Sequence, residues 1–258
     1  MSTLLEAGRA GRPITNFEIL DLHGHIGRIG FALPDLSIGG LVRQMDKVGV
    51  KSIVVSSMHC MSPNVVHGNR EVLAAMRAFP GRILGYISLW PYPEITGETA
   101  WCIDQGFTGI KVHNCNGFPM DHPGYDGSYA LADEHRLPIL FHTWGGEEEF
   151  AQIRNLSARF PETSLLLAHA GCANEEGYLK IAAECHNVYL DTAFSRSPRG
   201  LFERLVAGAG AQKVVWGSDA YFYTQSSQVG KVLGAKISDE EKRLVLSGNA
   251  QRILGRIC

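Results

Sequence analysis

Two histidines one residue apart, His23 and His25 in the segment DLHGHIG, open the inventory of side chains able to do chemistry. On a strand, residues two apart share one face, so both imidazoles are expected to reach one ion from the same side, with Asp21 on that face too. Three more groups follow at long intervals: His142 in LPILFHT, His169 in LLLAHAG and Asp219 in VVWGSDA. Each closes a run of apolar residues. Imidazole and carboxylate are the groups that ligate zinc-like cations and move protons near neutral pH. An H-x-H pair also arises by chance, and a single histidine at a strand end is usually structural. Four histidines and one aspartate at strand ends are harder to explain as packing, because burying so many polar groups without a common partner is costly.

For these residues to meet, the strands carrying them must lie side by side and run the same way. Eight segments read as strands, at residues 18–25, 52–57, 83–89, 109–113, 139–142, 164–169, 188–191 and 214–218. Runs such as SIVVSS and KVVWGSD are almost continuously apolar, as expected of strands covered on both faces. Helical spacing of apolar residues appears between them, at 36–48, 65–78, 126–135, 147–160, 175–185, 198–207 and 239–254, with a shorter stretch at 98–104. Ser238 and Glu241 stand at capping-box spacing before the last. This rhythm predicts an α/β fold of the (β/α)₈ TIM-barrel type in one domain, residues 16–258, preceded by a loose arm at 1–15. An open doubly wound sheet is the alternative, weakened because no G-x-G-x-x-G follows the first strand. The stretch 221–237 is too long for a simple turn and reads as a lid or an extra helix.

Composition narrows the class. The 258 residues are 45% hydrophobic and 19% charged, with a formal net charge of −2. That suits a large buried core and offers no electrostatic footprint for nucleic acid or an anionic membrane. No apolar run approaches the ~20 residues of a membrane span, and the first residues lack the apolar stretch of a signal peptide. Six cysteines without a C-x-x-C pair read as reduced thiols of a cytoplasmic protein.

With these motifs in order, the chain resembles the amidohydrolase superfamily, in its amidohydrolase-2 group of metal-dependent hydrolases and aminocarboxymuconate-semialdehyde decarboxylase-like enzymes. The segments that carry the likeness are DLHGHIG, TGIKVHN, LPILFHT, LLLAHAG, VVWGSDA and the terminal GNAQRILG. The resemblance implies one divalent metal ion, zinc in most relatives with manganese as the alternative, held by His23, His25, His142 and Asp219. It leaves His169 beside the reacting group, and it implies a homodimer. Such a site brings the pKa of bound water from 15.7 towards ~7. Asp219 is then expected to pass the water proton to a leaving group, while His169 orients the water or polarises a carbonyl. Hydrolysis of a small amide, ester or lactone is the leading expectation, and non-oxidative decarboxylation or hydration of a small unsaturated or aromatic acid the alternative.

Other residues past strand ends are candidates for binding the small-molecule substrate. Lys111 and His113 share one face of the fourth strand, and Lys111 is read as structural or anion-binding in preference to a carbamylated bridge. Arg28 follows the H-x-H pair and has the fork geometry to grip a carboxylate. Trp144 and Tyr221, with Trp90, Tyr92 and Phe194, are candidates to wall an apolar pocket. His59, with Ser57, stands after the second strand within possible reach of substrate, whereas His67, His122, His135 and His186 read as surface residues. Cys172 is a nucleophile by position only.

Overall fold

Apolar runs bounded by Gly and Pro become short parallel strands because helices cover one face and the strand ring closes over the other. The computed structural model of the chain describes residues 3–28, 30, 35–194 and 197–258. Its strands are β1 (Ile19–Ile26), β2 (Val50–Ser57), β3 (Ile83–Ser88), β4 (Gly109–Val112), β5 (Ile139–Phe141), β6 (Leu165–Leu167), β7 (Val188–Asp191) and β8 (Val214–Val215). They pair in sequence order, every ladder parallel. Beyond Val215 the chain returns to β1: Leu22 N–H donates to the Trp216 carbonyl (3.1 Å), Asp219 N–H to that of His23 (2.7 Å), and His25 N–H to that of Ala220. The fold is a single-domain (β/α)₈ barrel, as the rhythm of the sequence predicts, and these closing bonds set Asp219 beside the two histidines of β1.

Around the ring run α2 (Ile38–Val48), α3 (Val65–Ala78), α4 (Ile95–Asp104), α5 (Asp126–Glu134), α6 (Glu147–Arg159), α7 (Glu175–Glu184) and α8 (Leu201–Ala209). Their apolar stripes pack on the outward strand residues in one continuous core that includes Ile53, Val55, Ile110, Val112, Phe141 and Leu167. A second, smaller cluster fills the barrel interior with Leu22, Val54, Tyr86, Leu140, Leu166 and Val215. Tyr86 crosses that interior, its hydroxyl donating to the Leu22 carbonyl at 2.8 Å.

β1 departs from strict alternation. Its register against β2 slips between Asp21 and Gly24, where one extra residue is accommodated as a bulge. Leu22 therefore joins the interior cluster, and Asp21 does not share the face of His23 and His25 as the alternation predicts. Asp21 instead accepts from Ser218 N–H (2.9 Å), His23 N–H (3.1 Å) and the Gln225 amide (2.9 Å), tying β1 to the closing segment. Burial pushes its carboxyl up to about 6 against the pull of these donors.

One further expectation is corrected, and two others are met with added detail. The arm is not loose: α1 (Thr3–Arg9) docks through buried Leu4, and Thr3 donates to Asp239 through its N–H and hydroxyl. A helix of two turns is too short to announce itself by propensity and is held here by tertiary packing. Within 221–237 lies α9 (Gln225–Gly234), an extra helix packed on α1 and α2. The terminal helix runs over 239–254 as expected, as α10 (Asp239–Arg243), a π turn (Leu244–Gly248) and α11 (Asn249–Leu254) in unbroken succession. The wide turn leaves Asn249 facing inward, where its amide donates to the Ala211 and Val214 carbonyls, each at 2.7 Å. Among the described residues, no helix is long and apolar enough to cross a membrane.

Candidate metal centre at the barrel mouth

The polar residues of the strand ends meet at one mouth, and almost none is exposed. His23 is fully buried, and His25, His169 and Asp219 are nearly so. Asp219 Oδ1 lies 3.5 Å from His23 Nε2 and 3.3 Å from His25 Nε2. Ligating atoms of His23, His169 and Asp219 all fall within 4.8 Å of one another. His142 stands one hydrogen bond further on, its Nδ1 3.2 Å from His169 Nε2. The structure thus collects all five residues singled out from the sequence. His169 and Asp219 hold their positions with φ of 61° and 56°, in the left-handed region that non-glycine residues seldom adopt.

The hydrogen bonds fix where the protons are. His169 Nδ1 meets the Ala193 carbonyl, an acceptor only, so Nδ1 carries the proton and Nε2 is bare. His142 must then donate from Nδ1 to His169, which leaves His142 Nε2 as a bare lone pair, and that atom is buried without a partner. His23 Nδ1 lies 2.8 Å from Asp191 Oδ2, a carboxylate at the end of β7. With that proton on Nδ1, His23 Nε2 is bare as well and faces Asp219 Oδ1. His25 Nε2 faces the same carboxylate oxygen, and in the tautomer whose Nδ1 donates to Ser56 Oγ (3.0 Å) that nitrogen is bare too, which sets acceptors against acceptors. Lys111 Nζ, 3.3 Å from His23 Nε2, supplies one positive charge from the side, and the set of imidazole nitrogens with one carboxylate is the donor set that zinc and manganese accept. The residues present therefore fit a divalent ion.

Burial lowers the pKa of every one of these imidazoles: His23 well below the ordinary value, His25 also down, His142 far down, His113 to about 2 and His169 to about 4. All are neutral at pH 7, the form that ligates. Unfolding releases them to titrate near 6.5, so their contribution is complete above that pH and is lost as pH falls towards the folded values. The raised carboxyls of Asp21 and Asp191 act in the opposite sense, but the histidines outnumber them. Metal-free protein is expected to lose stability between pH 6.5 and pH 4 at about 1.4 kcal/mol per pH unit for each net proton taken up. Urea midpoints measured across that range check this, and a flat profile contradicts it.

Lys111 projects from β4 into the same interior, fully buried, with Nζ 3.3 Å from His23 Nε2. Burial lowers its pKa, and Asp219 and Asp191 pull it back up. Its place is beneath the histidines, not at the solvent rim. His113 stacks on His142 (centroids 4.0 Å apart, 25° between planes) and accepts from Cys115 N–H at Nδ1, so its own proton sits on Nε2. Trp144 is 46% exposed and roofs the mouth, stacked on His169 at 5.6 Å with Phe194 edge-on at 5.8 Å. Its loop is pinned by Glu149, whose Oε2 accepts from the N–H groups of Trp144, Gly145 and Gly146. Arg28 stands exposed after β1. Tyr221 is buried, and its hydroxyl donates to the carbonyls of Leu36 (3.1 Å) and Ser37 (2.7 Å), so it anchors the start of α2. All six cysteines are thiols.

Several residues with a part in the site escaped the sequence reading. Asp191 and Ser56 orient His23 and His25, and Phe222 stands edge-on to His25 at 5.6 Å. Gly217 makes room for them: a Cβ there would lie 2.3 Å from His23 Cβ and 2.6 Å from Asp191 Oδ1. Gly217→Ala is expected to cost about 1–3 kcal/mol of stability and to displace the His23–Asp191 pair. Chemical denaturation combined with metal titration measures both, and a variant unchanged in stability and affinity contradicts this reading.

A sequence profile described as Amidohydrolase matches residues 37–256. No curated protein matches the chain by sequence. Solved structures do match in fold. A dihydroxybenzoic acid decarboxylase from Polaromonas sp., with bound manganese and the inhibitor 2-nitroresorcinol, has TM-score 0.73 at 16% identity over 92% of this chain and 97% of its own. A 5-carboxyvanillate decarboxylase from Sphingomonas paucimobilis has TM-score 0.74 at 16% identity over 93% and 99%. A candidate 2-pyrone-4,6-dicarboxylic acid hydrolase from Pseudomonas putida has TM-score 0.74 at 17% identity over 94% and 99%.

Proposed function

The chain belongs to the amidohydrolase family, and from that premise we propose that it is a metal-dependent hydrolase cleaving a small amide, ester or lactone. The observation that carries the proposal is the approach of His23 and His25 Nε2 to Asp219 Oδ1 at the barrel mouth, with His169 in the same cluster and His142 bonded to it. His23, His25 and Asp219 would hold the ion, with His142 Nε2 the fourth donor. A zinc or manganese ion held there supplies positive charge that polarises a carbonyl and acidifies water.

The chain's own groups do the rest. Asp219, nearly buried at the mouth, accepts a proton from the attacking water and returns it to the leaving group. His169, kept neutral by burial and fixed by the Ala193 carbonyl, orients the reacting group. Trp144 and Phe194 cover the opening, shield the reacting atoms from bulk water and favour a flat substrate. Arg28, exposed at the rim, is the group to grip a substrate carboxylate. His113 offers an N–H from beside His142, and Lys111 adds positive charge from below.

The aromatic roof supports a second reading, non-oxidative decarboxylation of a small aromatic or unsaturated acid, the kind of reaction named for two of the similar structures. A panel of small esters, lactones, amides and carboxylic acids, assayed in ¹⁸O-water with carbon dioxide detection, tests both. Label entering a carboxylate product supports the hydrolase. Carbon dioxide release with no label entering the organic product replaces it with the decarboxylase, and no turnover with any divalent metal overturns both.

A further inference from the structure

A second cluster of metal-binding side chains stands at the same end of the barrel, outside the site above. His59 lies in the 3-10 turn Met58–Met61 that follows β2, and His67 and Glu71 face it from adjacent turns of α3. One ligating atom from each residue falls within 4.8 Å of the other two. We propose that His59, His67 and Glu71 form a second binding site for a first-row divalent cation such as zinc.

The surrounding hydrogen bonds prepare each donor. Ser62 Oγ donates its single proton to the His59 carbonyl (3.2 Å) and accepts from Asn64 N–H (3.3 Å). Ser62 Oγ also lies 3.4 Å from His59 Nδ1, and with the ring as donor in that contact His59 Nε2 is the bare, ligating atom. Ser57 Oγ donates to Glu71 Oε2 at 2.7 Å and so turns the other carboxylate oxygen, Oε1, towards His67 Nε2 at 3.6 Å. The two imidazoles stand edge to face with centroids 5.1 Å apart. The approach of α3 to the turn depends on Gly68, where a Cβ would lie 2.8 Å from His59 Cβ and 2.9 Å from Ser57 Cβ. Residues four apart on a helix share a face, so His67 and Glu71 converge without further adjustment.

Two imidazoles and one carboxylate suit zinc, cobalt or nickel better than calcium or magnesium, which prefer all-oxygen cages. His67 is 68% exposed and Glu71 36%, so solvent completes the coordination. The site would tether the loop after β2 to α3. Ser56 and Ser57, consecutive at the end of β2, bond His25 and Glu71 respectively, so the two centres share one strand end.

The test uses the full chain, stripped with chelator and dialysed against low-micromolar free zinc, with bound metal counted by mass spectrometry. His67→Ala and Glu71→Gln are expected to bind one equivalent fewer than the wild type while keeping its circular dichroism spectrum. Because the criterion is a difference of one equivalent, it stands whether or not the mouth centre loads. Equal stoichiometry in wild type and both variants overturns the proposal and leaves His67 and Glu71 as an ion pair only. Binding that appears only at millimolar zinc overturns it as well.

Discussion

Asp219→Asn lowers kcat by about 10²–10⁴-fold and leaves the barrel folded. Among the described residues the carboxylate is the one acidic group within 3.5 Å of both β1 imidazoles, so none of the others replaces its negative charge or its capacity to take a proton there. Asparagine keeps the shape and the backbone bond from residue 219 to the His23 carbonyl, and with it the closure of the ring. Its amide presents either an oxygen that binds a cation weakly or an N–H₂ that turns protons towards the bare imidazole nitrogens. Metal affinity and kcat are therefore expected to fall together, while the urea midpoint of metal-free protein stays at or above that of the wild type. Turnover within a few-fold of wild type would remove Asp219 from the chemistry.

Asp191→Asn weakens metal binding by about 10–100-fold, although the residue does not face the ion. Asp191 holds the proton of His23 on Nδ1 and fixes the ring, which makes Nε2 the ligating atom. The carboxyl is fully buried, Oδ1 has no hydrogen-bond partner, and desolvation pushes its pKa well up. A buried carboxylate this poorly satisfied is a cost to the metal-free fold, and a cation at the mouth reverses the push by favouring the ionised form. The substitution is thus expected to stabilise the metal-free protein while it loosens the metal. Competition with a chromophoric chelator gives the affinity, and denaturation in chelator gives the stability. If affinity is unchanged, His23 does not depend on Asp191 for its tautomer.

These effects also mark what a sequence can carry. His23, His25, His142, His169 and Asp219 were legible because each closes an apolar run, and a parallel barrel brings such ends to one mouth. Asp21 was misplaced because a single-residue bulge leaves no trace in the alternation of side chains. Asp191 reads as one more strand-end acid until ring closure is known to leave only β8 between β7 and β1. Tyr221 looks like a pocket wall by position, yet its hydroxyl is taken by backbone carbonyls near α2, a contact set by tertiary packing alone. The short helix α1 and the π turn before Asn249 were illegible for the same reason: distant contacts outweigh local propensity there.

The most direct measurement is an anomalous difference map at the zinc edge, from crystals of the zinc-loaded protein. A peak at the barrel mouth, in contact with His23, His25, His142 and Asp219, is the predicted result. A mouth without a peak in crystals that carry zinc elsewhere, with those side chains bonded only to one another, contradicts the account.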